Sequence, residues 1–156
     1  MPAHVYTGTM LEVPSLLFQL EQLLPLVDFV SIGTNDLSQF LFATDRSDPT
    51  IWDRYDVLSA PMIQALQYVA QTCKAHNVPC AVCGEMAGRP LEAMVLVSIG
   101  FQKLSMNPAS LGAIKSMILS LDTTQVRDYL NMILSLPAHS LREKLRLFAL
   151  DHDINI

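Results

Sequence analysis

An α/β fold built on parallel strands is what the sequence predicts, and two observations predict it. Short extended apolar runs alternate with helical stretches four times between Thr7 and Leu121, which implies parallel strands joined by crossover helices. Two amphipathic segments then follow without strand signals, so helices close the chain.

The elements follow in order. Thr7-Gly8-Thr9-Met10-Leu11-Glu12-Val13 reads as a strand that Pro14 ends. Ser15 then caps a helix that gathers Leu16, Leu17, Leu20, Leu23 and Leu24 roughly on one face. Asp28 to Gly33 is a second strand, followed by the polar turn Thr34-Asn35-Asp36 and a helix from Leu37 to Ala43. Asp45 to Ala60 has no clean periodicity and reads as a long loop. Ser59-Ala60-Pro61 opens a helix carrying Met62, Ile63, Leu66, Val69 and Ala70, which runs to about His76 and stops before Pro79. Cys80 to Cys83 is a third strand closed by Gly84, and Leu91 to Ile99 a helix with Gly100 after its end. Lys103 to Met106 is a fourth strand, and Ser110 caps a helix from Leu111 to Leu121. Val126, Tyr129, Leu130, Ile133 and Leu134 mark one closing helix, and Leu141, Leu145 and Phe148 the other.

Composition narrows the class. The 156 residues carry a net charge of −5, and they are 51% apolar before the six glycines are counted, with 16% charged. Soluble domains run about 45–50% apolar with glycine included, and about 25% charged. The excess apolar surface is expected to be buried against a second copy or a missing segment. Disorder is excluded, as is a general nucleic-acid binder, because no basic cluster offsets the acid. No apolar run approaches the length of a membrane span, and the start Met1-Pro2-Ala3-His4-Val5 does not read as a secretory signal. Three loosely placed cysteines make no disulfide framework, so a reducing cytoplasm is expected.

The residues able to do chemistry collect where strands end. They are Glu12; Thr34, Asn35 and Asp36; Cys83 and Glu85; and Ser105 and Asn107. Ligand sites of parallel α/β folds lie at the carboxyl ends of the strands, where the following loops converge. Taken alone, Asn35 and Asp36 would serve equally well as a helix cap, and Glu12 as a solvated carboxylate. Glu12 and Asp36 together offer two carboxylates at consecutive strand ends, and magnesium is typically held by one or two carboxylates with phosphate oxygens and water. Arg46 could grip an anion such as phosphate, although a surface ion pair is the commoner fate of a lone arginine.

Cys73, His76, Cys80 and Cys83 show the spacing C-x2-H-x3-C-x2-C, which resembles a zinc set, and Cys80-x-x-Cys83 resembles a redox pair. Strand periodicity opposes both, because residues three apart on a strand face opposite sides. Buried, inert thiols are the ordinary reading for Cys73 and Cys80. Cys83 differs because Gly84 follows it and the strand end is partly open.

Three blocks together resemble a known family. Gly8-Thr9-Met10-Leu11-Glu12-Val13-Pro14 matches G-x-M-x-E-x-P, and Ser31 to Phe40 matches S-[IV]-G-T-N-D-L-[ST]-Q-[YF], continuing to Asp45-Arg46. Cys83-Gly84-Glu85-Met86-Ala87-Gly88 matches C-G-E-[ML]-A-G. These resemble the phosphoenolpyruvate-binding barrel of the phosphoenolpyruvate-protein phosphotransferases, Enzyme I of the bacterial phosphotransferase system. A fourth segment, Leu104-Ser105-Met106-Asn107, looks more like the nitrogen-related branch than the sugar branch.

The resemblance implies the C-terminal half, about four strand–helix units, of a TIM-type (β/α)8 barrel. Residues 1–121 would be the partial barrel and 122–156 C-terminal helices. It implies that Glu12 and Asp36 ligate Mg2+, that Asn35 hydrogen-bonds the phosphoryl group of phosphoenolpyruvate, and that Arg46 neutralises its charge. Cys83 would be the general acid that protonates the methylene carbon of the enolate, giving pyruvate. A thiol suits that task, being mostly protonated at neutral pH. Our own addition is that Glu85 orients the Cys83 loop.

The implied partners are phosphoenolpyruvate and, in the whole enzyme, the phosphocarrier protein that receives the phosphoryl group from an enzyme histidine. None of His4, His76, His139 or His152 stands in the family's acceptor context, so the chain alone is expected to be inactive. A half-barrel leaves two unpaired strand edges, so a homo-oligomer is expected. The rival reading is a non-catalytic, oligomerising relic of the same fold, and a zinc or redox protein comes third. Barrel sequence upstream of Met1 would mark an excised portion, and a natural start there a relic.

Overall fold

The computed structural model describes residues 3–45 and 55–156. Four parallel strands form one sheet in the order β1 (Gly8–Leu11), β2 (Phe29–Gly33), β3 (Cys80–Cys83) and β4 (Lys103–Leu104). Met10 lies opposite Ser31, Gly33 opposite Cys83, and Val82 opposite Leu104. Side chains alternate across a strand, so this register sorts them onto two faces. Leu11, Val30, Ile32 and Val82 are fully buried on one face. Met10, Ser31 and Cys83 lie on the other, which is only partly covered.

Seven α-helices lie among the described residues. The β1–β2 link departs from the single helix expected after Ser15. It is a 3-10 turn (Pro14–Gln19), a short α1 (Leu20–Leu23) and a second 3-10 turn (Leu24–Leu26). Pro14 and Pro25 each sit in the first turn of a 3-10 segment, where a missing N–H costs nothing, and the Ser15 side chain makes no cap. Leu20 and Leu24 are buried, while Leu16, Leu17 and Leu23 are only partly covered.

After β2, helix α2 spans Thr34–Phe42, starting three residues earlier than the sequence predicts. The expected turn Thr34-Asn35-Asp36 is therefore the first turn of a helix. Helix α3 (Ala60–Ala75) buries Met62, Ile63, Leu66, Val69 and Cys73. Of the long loop expected from Asp45 to Ala60, residues 46–54 lie outside the described residues, Arg46 among them.

Helix α4 (Pro90–Ser98) is the packed centre. Leu91 to Leu96 and Ser98 are all buried, because α5 (Leu111–Leu119), α6 (Thr123–Ile133) and α7 (Arg142–Asp151) pack around it. A helix apolar all round must be sheathed in this way. Asp122 caps α6 through the amides of Thr124 (2.9 Å) and Gln125 (3.3 Å). Helix α6 then turns Val126, Leu130 and Ile133 inward.

One partly buried polar network ties the start of α7 to the rest. Arg142 Nε donates to Asp56 Oδ2 (2.8 Å), and its Nη2 donates to Asp56 Oδ1 (2.9 Å) and Glu92 Oε1 (2.8 Å). The Ser140 hydroxyl adds a bond to Asp56 Oδ2 (2.7 Å). Glu92, on α4, is 2% exposed and would be costly to bury without this cation. Burial alone would raise the Asp56 pKa; bonds from Arg142, the Leu58 amide and Ser140 outweigh it and hold the carboxyl below the usual carboxylate value. No helix is long and apolar enough to cross a membrane among the described residues.

Candidate functional site

The carboxyl ends of β2 and β3 are stitched together by side chains. Thr34 Oγ1 donates to the Cys83 carbonyl (2.9 Å), and the Glu85 amide donates to Asn35 Oδ1 (3.3 Å). Gly84 makes this approach possible. It holds φ +99° and ψ −178°, a region essentially reserved for glycine. A Cβ there would collide with the Thr34 hydroxyl and come within 3.2 Å of Asn35 Oδ1. The early start of α2 has the same origin, since Thr34 is held by β3 rather than by a local cap.

Cys83 faces the less covered side of the sheet. Its thiol donates to the Ile32 carbonyl (3.2 Å), and the Ser31 hydroxyl donates to its sulfur (3.6 Å). A hydroxyl donor therefore already faces that sulfur. Asn35 spends its oxygen on Glu85 and keeps its amide donors.

Glu12 follows β1, and its Oε2 lies 2.9 Å from where a Cβ on Gly33 would sit. Glycine at the end of β2 therefore leaves room for the Glu12 carboxylate. Asp36 is in the first turn of α2. Among the described residues, neither carboxylate is engaged in a hydrogen bond or ion pair. No group of three or more His, Cys, Asp or Glu could hold a metal among the described residues. Glu12 and Asp36 could supply two carboxylates to a cation such as magnesium, whose other ligands would be substrate oxygens and water.

A cavity of about 420 Å3 opens beside these loops, lined by Asn35, Gly84, Glu85, Arg89, Asn107 and Ser110 among others. Of the expected site residues, Asn35 lines it, while Glu12, Asp36 and Cys83 do not. Arg89 is a further cation of this cavity, not among the residues expected from the sequence. It pairs with Glu85 (2.7 Å) and approaches Glu92 (3.9 Å). The available signal was its position, directly after Gly88 of the C-G-E-M-A-G block. Glu85 is thus tied to both Asn35, through its amide, and Arg89, through its carboxylate.

The other cysteines are separated from Cys83 by the sheet. Cys80 shares the helix-covered face with Val82, where its thiol hydrogen-bonds that of Cys73 on α3. That bond lowers the Cys73 pKa, while it and burial push Cys80 up. All three cysteines are free thiols.

This arrangement is that of a parallel α/β domain with an oxygen-rich, thiol-bearing site at its strand ends. Residues 2–123 match the family described as PEP-utilising enzyme, PEP-binding domain, and the chain belongs to that family. A Salmonella typhimurium protein named phosphoenolpyruvate-dependent phosphotransferase system is 41% identical over 115 residues, 74% of this chain and 15% of that protein. The Escherichia coli protein of the same name is 39% identical over 121 residues, 78% of this chain and 16% of its own length. The phosphoenolpyruvate-protein phosphotransferase of Cupriavidus necator is 35% identical over 127 residues, 81% of this chain and 22% of the relative. The chain thus spans a fifth or so of these proteins at most.

Proposed function

We propose that this chain is the C-terminal portion of a phosphoenolpyruvate-dependent protein phosphotransferase, and that it carries the metal-binding and proton-donating side of the substrate site. The observation that carries this reading is the stitched pair of strand ends, with Asn35 and Cys83 on two sides of the Thr34–Cys83 and Asn35–Glu85 bonds. Glu12 and Asp36 would hold Mg2+, which supplies charge stabilisation to phosphate and enolate oxygens when bound. Asn35 donates its amide hydrogens to the phosphoryl group, and Arg46, by family resemblance, offsets its charge. As the phosphoryl group leaves, the enolate carbon takes the proton of Cys83, giving pyruvate and a thiolate. The Ser31 hydroxyl already donates to that sulfur and would receive the thiolate without rearrangement.

The four-stranded parallel sheet is, in this reading, half of a (β/α)8 barrel. Residues 1–121 form that half, and the helices of 122–156 sheathe α4; the family match ends at residue 123. Asn107 after Met106 favours the nitrogen-related branch. In the whole enzyme a histidine outside this chain takes the phosphoryl group and passes it to a phosphocarrier protein, in the cytoplasm. Phe18 (86% exposed) and Leu119 (89%) favour a homo-oligomer, as do the sheet edges at β1 and β4.

The test is calorimetric titration of the chain with phosphoenolpyruvate, with and without Mg2+. Binding should require the metal, and Glu12→Ala or Asp36→Ala should abolish it while leaving the circular dichroism spectrum unchanged. A well-folded chain that binds no phosphoenolpyruvate at any Mg2+ concentration would overturn the reading.

A further inference from the structure

A second and larger cavity, of about 800 Å3, lies beside β4 and shares Met106 with the strand-end cavity. It is walled by α3, by the loop that leads from α4 into β4, by β4 and Met106 after it, and by α5, with Arg127 of α6 also lining it. Neither Glu12, Asn35, Asp36 nor Cys83 lines it. Its volume is that of pockets which enclose small organic molecules, and more than a bare inorganic ion needs.

The lining is sorted in an unusual way for an acidic chain. Phe101, Leu104 and Ile114 give it an apolar wall, and Gln67, Gln71 and Gln102 add neutral hydrogen-bonding groups. Lys74, Lys115 and Arg127 supply three cations, and among the described residues no aspartate or glutamate lines it. None of the three is in an ion pair among the described residues. The other placed arginines, Arg89, Arg142 and Arg146, all have carboxylate partners. Arg127 is also fixed in place, since its Nε donates to the Ser98 carbonyl at the end of α4 (3.1 Å) and its terminal nitrogens remain available. Lys74, Lys115 and Arg127, all exposed, thus bring positive charge from three separate helices to one partly apolar cavity, which favours an anion there.

We propose that this cavity binds a small organic dianion, a phosphomonoester joined to an apolar or aromatic body. Three cations favour two negative charges over one. The apolar wall accounts for the body, which inorganic phosphate lacks.

The probe is phenyl phosphate, titrated calorimetrically into the chain without Mg2+ and in the presence of a chelator. We expect one saturable site that weakens with added salt, at least about tenfold tighter than phenol, phenylacetate or inorganic phosphate. Lys115→Gln and Arg127→Gln should each weaken it about five- to tenfold, as expected for losing one charge-assisted contact at a partly open site. Lys115 is exposed, so its variant should keep the wild-type fold, as circular dichroism would verify. Asp36→Ala should leave the affinity unchanged. Equal binding of phenol or phenylacetate would overturn the assignment, as would an affinity indifferent to both cation variants. So would an affinity lost in Asp36→Ala but kept in Lys115→Gln, which would place the anion at the strand ends.

Discussion

Replacing Gly84 by alanine puts a Cβ against the Thr34 hydroxyl, far inside contact distance, and forces a side chain into φ +99°. A residue held in that region costs about 1–3 kcal/mol. The collision also parts Thr34 from the Cys83 carbonyl, and a lost hydrogen bond of this kind adds about 1 kcal/mol. Together these come to about 2–4 kcal/mol, which for a chain of this size moves the urea midpoint down by about 1–2 M. Because Asn35 Oδ1 lies 3.2 Å from the same Cβ, the substrate side of the site should suffer too. Magnesium-dependent phosphoenolpyruvate binding should weaken more than tenfold at a urea concentration where the variant is still folded. A midpoint shift below about 0.3 M with unchanged binding would mean that the two strand ends are not held together through this glycine.

Other perturbations separate the structural claims. Arg142→Ala removes the cation shared by Asp56 and buried Glu92 and should cost about 2–3 kcal/mol in chemical denaturation, after allowing for the solvent that reaches the guanidinium. Asp56 has a lowered folded-state pKa, so its contribution is present above the usual carboxylate pKa and lost as the pH falls through the folded value. Acid unfolding of Asp56→Asn should accordingly show a weaker loss of stability between about pH 5 and pH 2 than wild type. Leu96→Ala, at a fully buried position of α4, should cost about 2–5 kcal/mol; a loss below about 1 kcal/mol would show that α4 is not the packed centre. Iodoacetamide on the folded chain should modify Cys83 well before Cys73, which is 1% exposed, as peptide mass mapping would show.

Local chemistry made much of the fold legible. Strand β3 falls where Pro79 and Gly84 bound it, and α3 starts where Ser59-Ala60-Pro61 announces it. What escaped depends on contacts distant in sequence. The start of α2 is set by Thr34 bonding to a carbonyl 49 residues away, which no capping rule contains. Ser15 and Ser110 look like caps but make no cap bond, and Asn107 instead accepts from the Ala109 amide (3.0 Å). Around α1 the leucine spacing fits a longer helix, but the proline-opened 3-10 turns on either side break it up. In the site, the strand-end clustering of polar residues is readable, whereas Arg89 is marked only by its place after the C-G-E-M-A-G block, and its pairing with Glu85 and approach to Glu92 emerge only in the fold. The cavity of three cations was also hidden, since Lys74, Lys115 and Arg127 are brought together only by the packing of three helices.

Whether Glu12 and Asp36 form the protein half of a metal site completed by substrate is open to one direct measurement. Mn2+ in place of Mg2+ reports its own binding, because its free-ion electron paramagnetic resonance signal falls when it is bound. Titration into the chain with phosphoenolpyruvate present should remove one Mn2+ per chain, with far weaker uptake when phosphoenolpyruvate is left out. Glu12→Ala and Asp36→Ala should each eliminate that uptake. Mn2+ binding that ignores phosphoenolpyruvate and survives both substitutions would show that the two carboxylates form no such site.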